Sequence, residues 1–141
     1  MKEAILLVRT FDPRQVIISL GSHIVTGYSD GTFISIEPGG DGIVKKVGCD
    51  GEVGRGMDPD RTATMTLTLL LVSPSVGFCH EQYIRDQNTH GEGTFPVLVK
   101  DLKGGLVFSA DTAWVVTPPT REFDKEMPDR EIQIDCGDST W

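Results

Sequence analysis

Between residues 62 and 69 threonine and apolar side chains alternate without a break: Thr62, Ala63, Thr64, Met65, Thr66, Leu67, Thr68, Leu69. A period of two puts the threonines on one face of an extended chain and the apolar residues on the other, the pattern of a half-buried strand. Threonine is β-branched and favours the pleated backbone without making it sticky, so this polar face suits water or a smooth channel wall. The same rule recurs at 32–37, with Ile34 and Ile36 opposite Ser35 and Glu37, and at 131–136, with Ile132 and Ile134 opposite Glu131, Gln133 and Asp135. Residues 16–20, 97–99, 107–108 and 113–116 are further strand candidates. Asp30-Gly31, Pro38-Gly39-Gly40, Lys103-Gly104-Gly105 and Pro118-Pro119 punctuate them as turns. The chain reads as mainly β, an antiparallel β-sandwich or half-barrel.

One segment breaks the alternation. Ser73 is an N-cap type placed before Pro74, whose missing N–H does no harm at the first helical position. Val76, Cys79 or His80, Tyr83 and Ile84 then recur at helical spacing, and Gly91 follows Asn88 and His90 as a stop signal. The spacing predicts one flanking α-helix over 74–87. Residues 38–60 differ again, with glycines at 39, 40, 42, 48, 51, 54 and 56 among charges of both signs. No core can be built from them alone, so they form a long glycine-rich hairpin or ordered loop. Such loops are usually functional or bound to something. The candidate contact residues are Asp41, Val44, Lys45, Lys46, Asp50, Glu52, Arg55, Asp58 and Asp60.

A length of 141 residues suits one domain. The longest apolar run, residues 4–8, falls far short of the roughly 20 residues of a membrane helix and is flanked by Lys2, Glu3 and Arg9. Neither membrane insertion nor a secretory signal is expected. Three cysteines, Cys49, Cys79 and Cys136, cannot all pair within the chain, and their spacing fits neither a disulfide framework nor a zinc knuckle. They read as reduced thiols. A net charge of −8 opposes tight binding to a phosphate backbone. It equally suits a wall past which DNA must slide.

The motifs of chemistry fail one by one. Gly51 to Gly56 has the wrong order for a phosphate-binding loop, and a strand follows it. Gly27-Tyr28-Ser29-Asp30-Gly31 matches a nucleophile elbow, but that elbow turns from a strand into a helix, whereas here another strand follows and Asp30-Gly31 reads as a hairpin turn. His80-Glu81 lacks the second histidine of a zinc protease, which would fall at Ile84. Cys49, Cys79, His80, His90 and Cys136 match no standard metal module. Asp50, Glu52, Asp58 and Asp60 lack the closing glutamate of a calcium loop and sit among glycines, as a charged interaction surface would. No catalytic residue, cofactor or metal is assigned.

The order of these pieces carries a resemblance. His23 to Ile36 leads to Gly48-Cys49-Asp50-Gly51-Glu52-Val53, then to the threonine strand, the Ser73-Pro74-Ser75 helix start and Phe95 to Asp101. Ala113-Trp114-Val115, Pro118-Pro119, Phe123 and the closing strand 130–136 complete the order. Over nearly its whole length the chain resembles the tail tube proteins of contractile-tailed bacteriophages. The resemblance implies a single tail-tube-like domain, 1–141, that joins edge to edge into hexameric rings stacked as a tube. It also implies a virion location after assembly in the host cytoplasm. The implied partners are further copies of the chain, a tail sheath protein, and baseplate or initiator and terminator proteins, with DNA passing through the lumen unbound. On this reading the 38–60 loop reaches a neighbouring ring. Thr62, Thr64, Thr66, Thr68, Glu131, Gln133 and Asp135 face the lumen, and Met65, Leu67, Leu69, Ile132 and Ile134 pack towards the helix. One alternative is a monomeric or dimeric β-sandwich ligand-binding module, which would call for clustered exposed aromatics; aromatic content is 7%, and Trp114 and Trp141 are far apart in sequence. The other is a tube subunit of a phage-related contractile secretion system.

Overall fold

A computed structural model describes residues 8–141, so the apolar run at 4–8 lies outside the described residues except for Val8. A turn of 3-10 helix, Pro13–Gln15, leads into ten strands and one helix. The strands are β1 (Val16–Leu20), β2 (His23–Ile24), β3 (Ile34–Pro38), β4 (Ile43–Val47), β5 (Val53–Met57) and β6 (Ala63–Leu69). After helix α1 (Pro74–Thr89) come β7 (Phe95–Asp101), β8 (Val107–Thr117), β9 (Arg130–Cys136) and β10 (Ser139–Thr140). Eight strands make one antiparallel sheet in the order β2-β1-β7-β8-β9-β6-β3, with β10 on β8, while among the described residues β4 and β5 pair only with each other.

The sheet is rolled. Tyr28, which bridges to Leu69 beside β6, donates its hydroxyl to the Val16 carbonyl of β1 (3.1 Å), near the sheet's other end. Ile36 of β3 and Val16 also line one apolar cleft, so the two ends of the sheet face each other across a seam. Rolling encloses the inward row: Ile18 and Leu20 of β1, Met65, Leu67 and Leu69 of β6, Val97 of β7, and Ile132 and Ile134 of β9 are buried together with Cys79 of α1. Each such aliphatic side chain contributes about 1.5–3 kcal/mol by leaving water. The mainly β, antiparallel fold with one helix is the one the alternation predicts, and Met65, Leu67, Leu69, Ile132 and Ile134 lie inward, in one core cluster with Cys79 of α1.

Helix α1 begins where its cap predicts: Ser73 Oγ accepts from the Ser75 amide (3.2 Å), with Pro74 at the first position. It runs two residues past 87, because His90 takes the left-handed conformation (φ 57°) and closes the last turn ahead of Gly91. Its covered face is Ser75 and Cys79 with Val76, Phe78 and Tyr83 partly buried; Ile84 is exposed, contrary to the helical periodicity read from the sequence. Phe78 fills the gap by stacking on His23, ring centroids 4.4 Å apart. Two other expectations change. Asp30-Gly31 does not reverse the chain, since Tyr28 and Ile34 both pair with β6, at Leu69 and Leu67, and the residues between them bulge out. The segments 107–108 and 113–116 are parts of one strand, β8, whose eleven residues cross most of the sheet.

Candidate interaction surfaces

Three surfaces of distinct chemistry remain outside the core. The first is the outward face of β3, β6 and β9. Register places Thr64 against Asp135, Thr66 against Gln133 and Thr68 against Glu131. Across the other side of β6, Ser35 lies beside Thr66 and Glu37 beside Thr64. Residues opposite one another share a face, so the predicted row comes together as one polar surface. Thr64 Oγ1 donates to Asp135 Oδ1 (3.3 Å), which fixes the pair nearest the hairpin foot. Glu37 adds a third carboxylate to Glu131 and Asp135; its own alternation marks its face, but only the strand order brings it here. Thr62 stands apart. It precedes β6, and its hydroxyl and amide both donate to Asp60 Oδ1 (2.7 and 2.9 Å) at the foot of the hairpin.

The second surface is the β4–β5 hairpin. Every residue of both strands is exposed. One face carries the cross-strand pairs Ile43/Met57, Lys45/Arg55 and Val47/Val53; the other carries Val44 and Lys46 opposite Gly56 and Gly54. Two like charges directly opposed, as in Lys45/Arg55, destabilise an isolated ribbon. A two-stranded ribbon burying nothing is in any case marginal in water. The tip holds Cys49, Asp50 and Glu52, and Asp50 Oδ1 accepts from the Glu52 amide (3.1 Å). At the foot, Asp58 accepts from the Asp41 and Asp60 amides (2.9 and 3.0 Å), so the carboxylates of Asp58 and Asp60 staple the hairpin to the domain. Gly39 and Gly40 are needed there: a Cβ at either would fall within 2.6 Å of Thr62 or Asp60. Of the nine candidate contact residues, Val44, Lys45, Lys46, Asp50, Glu52 and Arg55 thus lie on the exposed arm, and Asp41, Asp58 and Asp60 lie at its hinge.

The third surface was not singled out from the sequence. Arg130, the first residue of β9 and paired with Leu69, is only 4% exposed. It donates to the carbonyls of Glu122 (2.7 Å) and Pro128 (3.3 Å), and its guanidinium lies 5.2 Å from the centre of the Phe123 ring. With Arg121, His80 and Phe123 it lines a cavity of about 280 Å³. Arg121 Nη2 lies 3.3 Å from His80 Nε2. Arginine can only donate, so that nitrogen is the acceptor, and His80 Nδ1 is buried without a partner among the described residues. The signal was present in the sequence: Arg130 shares the parity of Ile132, Ile134 and Cys136, so alternation alone places a cation on the inward face.

The residues weighed for chemistry do not assemble. Ser29 is buried, and its hydroxyl donates to Asp129 rather than standing on a strand-to-helix elbow. Cys49 is exposed while Cys79 and Cys136 are buried, and burial pushes their thiols up to about 12 and about 11. Among the described residues, no three His, Cys, Asp or Glu side chains converge as metal ligands.

No protein-family model matches the chain. Its sequence is 28% identical over 141 residues to structural protein ORF10 of Pseudomonas phage KPP10, the match covering 94% of this chain and 80% of that protein. Solved structures share its fold over nearly its full length. A chain of the anti-feeding prophage tube-terminating cap is 14% identical with a TM-score of 0.64, covering 98% of this chain and 94% of that one. A chain from the sheath/tube terminator of the extracellular contractile injection system PVC, in the extended state, is 12% identical with a TM-score of 0.66 over 96% and 98%. A chain from the extended sheath–tube complex of that system is 10% identical with a TM-score of 0.61 over 93% and 90%. These likenesses establish the rolled antiparallel fold.

Proposed function

We propose that this chain is a structural subunit of a phage tail or related contractile apparatus, acting through copies of itself joined into rings and stacked as a tube. The observation that carries the reading is the β4–β5 arm. A domain with its own core projects ten exposed residues that, among the described residues, pair only with each other, and a neighbour is what such an arm requires. The 28% identity to a phage structural protein supports the same conclusion from the sequence side. Ring closure would pair β3, an edge of the rolled sheet, and remove the aggregation hazard of its free backbone groups. The face bearing Glu37, Glu131 and Asp135 among threonines is the proposed lumen. Its negative charge repels DNA over about 10 Å at ~0.1 M salt. A sheath protein would surround the tube, and the particle would be the virion tail or its equivalent.

A second reading has its own support, because two of the solved neighbours named above come from a tube-terminating cap and a sheath/tube terminator. In that reading the subunit forms one ring that closes a tube instead of repeating along it. Negative-stain electron microscopy across a concentration series, with light scattering on the same samples, separates the two. Long hollow stacks support the repeating subunit, and single rings at every concentration support the terminator. A monodisperse monomer throughout removes the ring from both readings.

A further inference from the structure

The arm and the arginine cavity lie at opposite ends of the sheet. β6 and β9 run side by side with Ala63 against Cys136 at one end and Leu69 against Arg130 at the other. The arm's foot is at the first end, where Pro38 pairs with Ala63 and Gly39 donates to the Thr62 carbonyl (2.8 Å). The seven residues of β6 therefore separate foot from cavity by about 20 Å at the usual rise per residue.

Their charges are complementary in order. The arm has an acidic tip, Asp50 and Glu52, followed along its shaft by Lys45, Lys46 and Arg55 with no acid among the strand residues. At the far end of the sheet Arg121 and Arg130 line the cavity described above. Beside it, sharing Pro119, is a groove of about 410 Å³ that carries Glu122 and Asp129. Among the described residues no carboxylate forms an ion pair with either arginine, although Arg130 is almost wholly removed from water. A guanidinium so buried, with only two carbonyls on its five N–H groups, calls for an anionic acceptor.

We infer that the carboxylates at the hairpin tip of one copy enter the Arg121–Arg130 cavity of the next, while Lys45 and Arg55 behind them face the acidic groove beside it. The inference rests on the reading that copies stack. It adds polarity to that reading: arm and receptor occupy opposite poles, so the contact is head-to-tail and repeats without closing. It also answers the Lys45/Arg55 conflict, because two like charges held side by side are tolerated when a carboxylate groove lies against them.

The full chain supplies its own probe, since Cys49 is exposed beside Asp50 at the tip. With Phe123, exposed at the cavity mouth, replaced by cysteine, mild oxidation of assembled protein yields a ladder of disulfide-linked chains on non-reducing gels, absent from the C49S, F123C double variant. Glu52→Arg and Arg121→Glu each weaken stacking at least tenfold in the concentration series, and the two together restore it. Arg121 and Glu52 are both exposed, so the fold survives these changes; circular dichroism verifies it. Stacks that form normally in both single variants and give no ladder overturn the inference and leave the stacking reading standing. A wild-type chain that never stacks overturns both.

Discussion

The rolled sheet and the β4–β5 arm are both antiparallel β-structure, yet opposite forces hold them. In the sheet, every second residue of β6 and β9 is sealed in the core. In the arm, the same backbone pairing buries nothing: like charges face each other at Lys45/Arg55, and Val44 and Lys46 face only glycines. The lesson is that hydrogen-bonded pairing specifies shape while burial supplies stability. An element with the first and without the second is held by its foot, here Asp58, Asp60 and Gly39, and by whatever it meets.

The comparison is broken most severely from the core side. Leu67→Ala removes a fully buried side chain of β6 and is expected to cost about 2–5 kcal/mol, read as a lower urea midpoint. Val47→Ala on the arm is expected to shift that midpoint by less than about 0.5 kcal/mol. A loss of similar size at both sites would show that the arm is part of the core. Next in size, Ser73→Ala removes the cap of α1 and a hydrogen bond to the Thr26 carbonyl, for an expected loss of about 1–2 kcal/mol in thermal unfolding. Excising residues 39–56 should leave the unfolding midpoint almost unchanged while abolishing stacking. Normal stacks from the shortened chain would deny the arm its role.

The smallest effect is confined to alkaline solution. Burial raises the thiols of Cys79 and Cys136, and it also raises the Tyr28 phenol. From about pH 9 upward the unfolded chain gives up thiol protons that the folded chain keeps to about 11 and about 12. Stability is therefore complete below pH 9 and declines as pH rises through that window. The urea midpoint should fall between pH 8 and pH 10, with a thiol reagent at pH 8 labelling Cys49 alone in the folded protein. A flat midpoint with three labelled cysteines would mean that water reaches the core.

Much of this was legible in the residues. The alternations at 62–69 and 131–136 gave the faces, and Ser73-Pro74 gave the helix start, because period and capping are local properties. Arg130 was legible by parity, but a charge amid apolar residues is easily taken for the edge of a strand. The bulge at Asp30-Gly31 and the continuity of β8 were not legible. Both depend on which strand lies alongside, and a turn signal reports only that the chain bends. Glu37 illustrates the same limit, since its place beside Thr64 depends on β3 docking against β6.

By itself, the sequence determined which side of each strand is wet, where the helix begins and which segment has no core of its own. These follow from side-chain chemistry repeated at the pitch of the backbone. Tertiary structure alone decided that the sheet rolls until Tyr28 reaches Val16, that three carboxylates gather on one face, and that an acidic-tipped arm and an arginine cavity stand at opposite poles. Those facts rest on strand order and register between residues far apart in the chain, which no local period encodes.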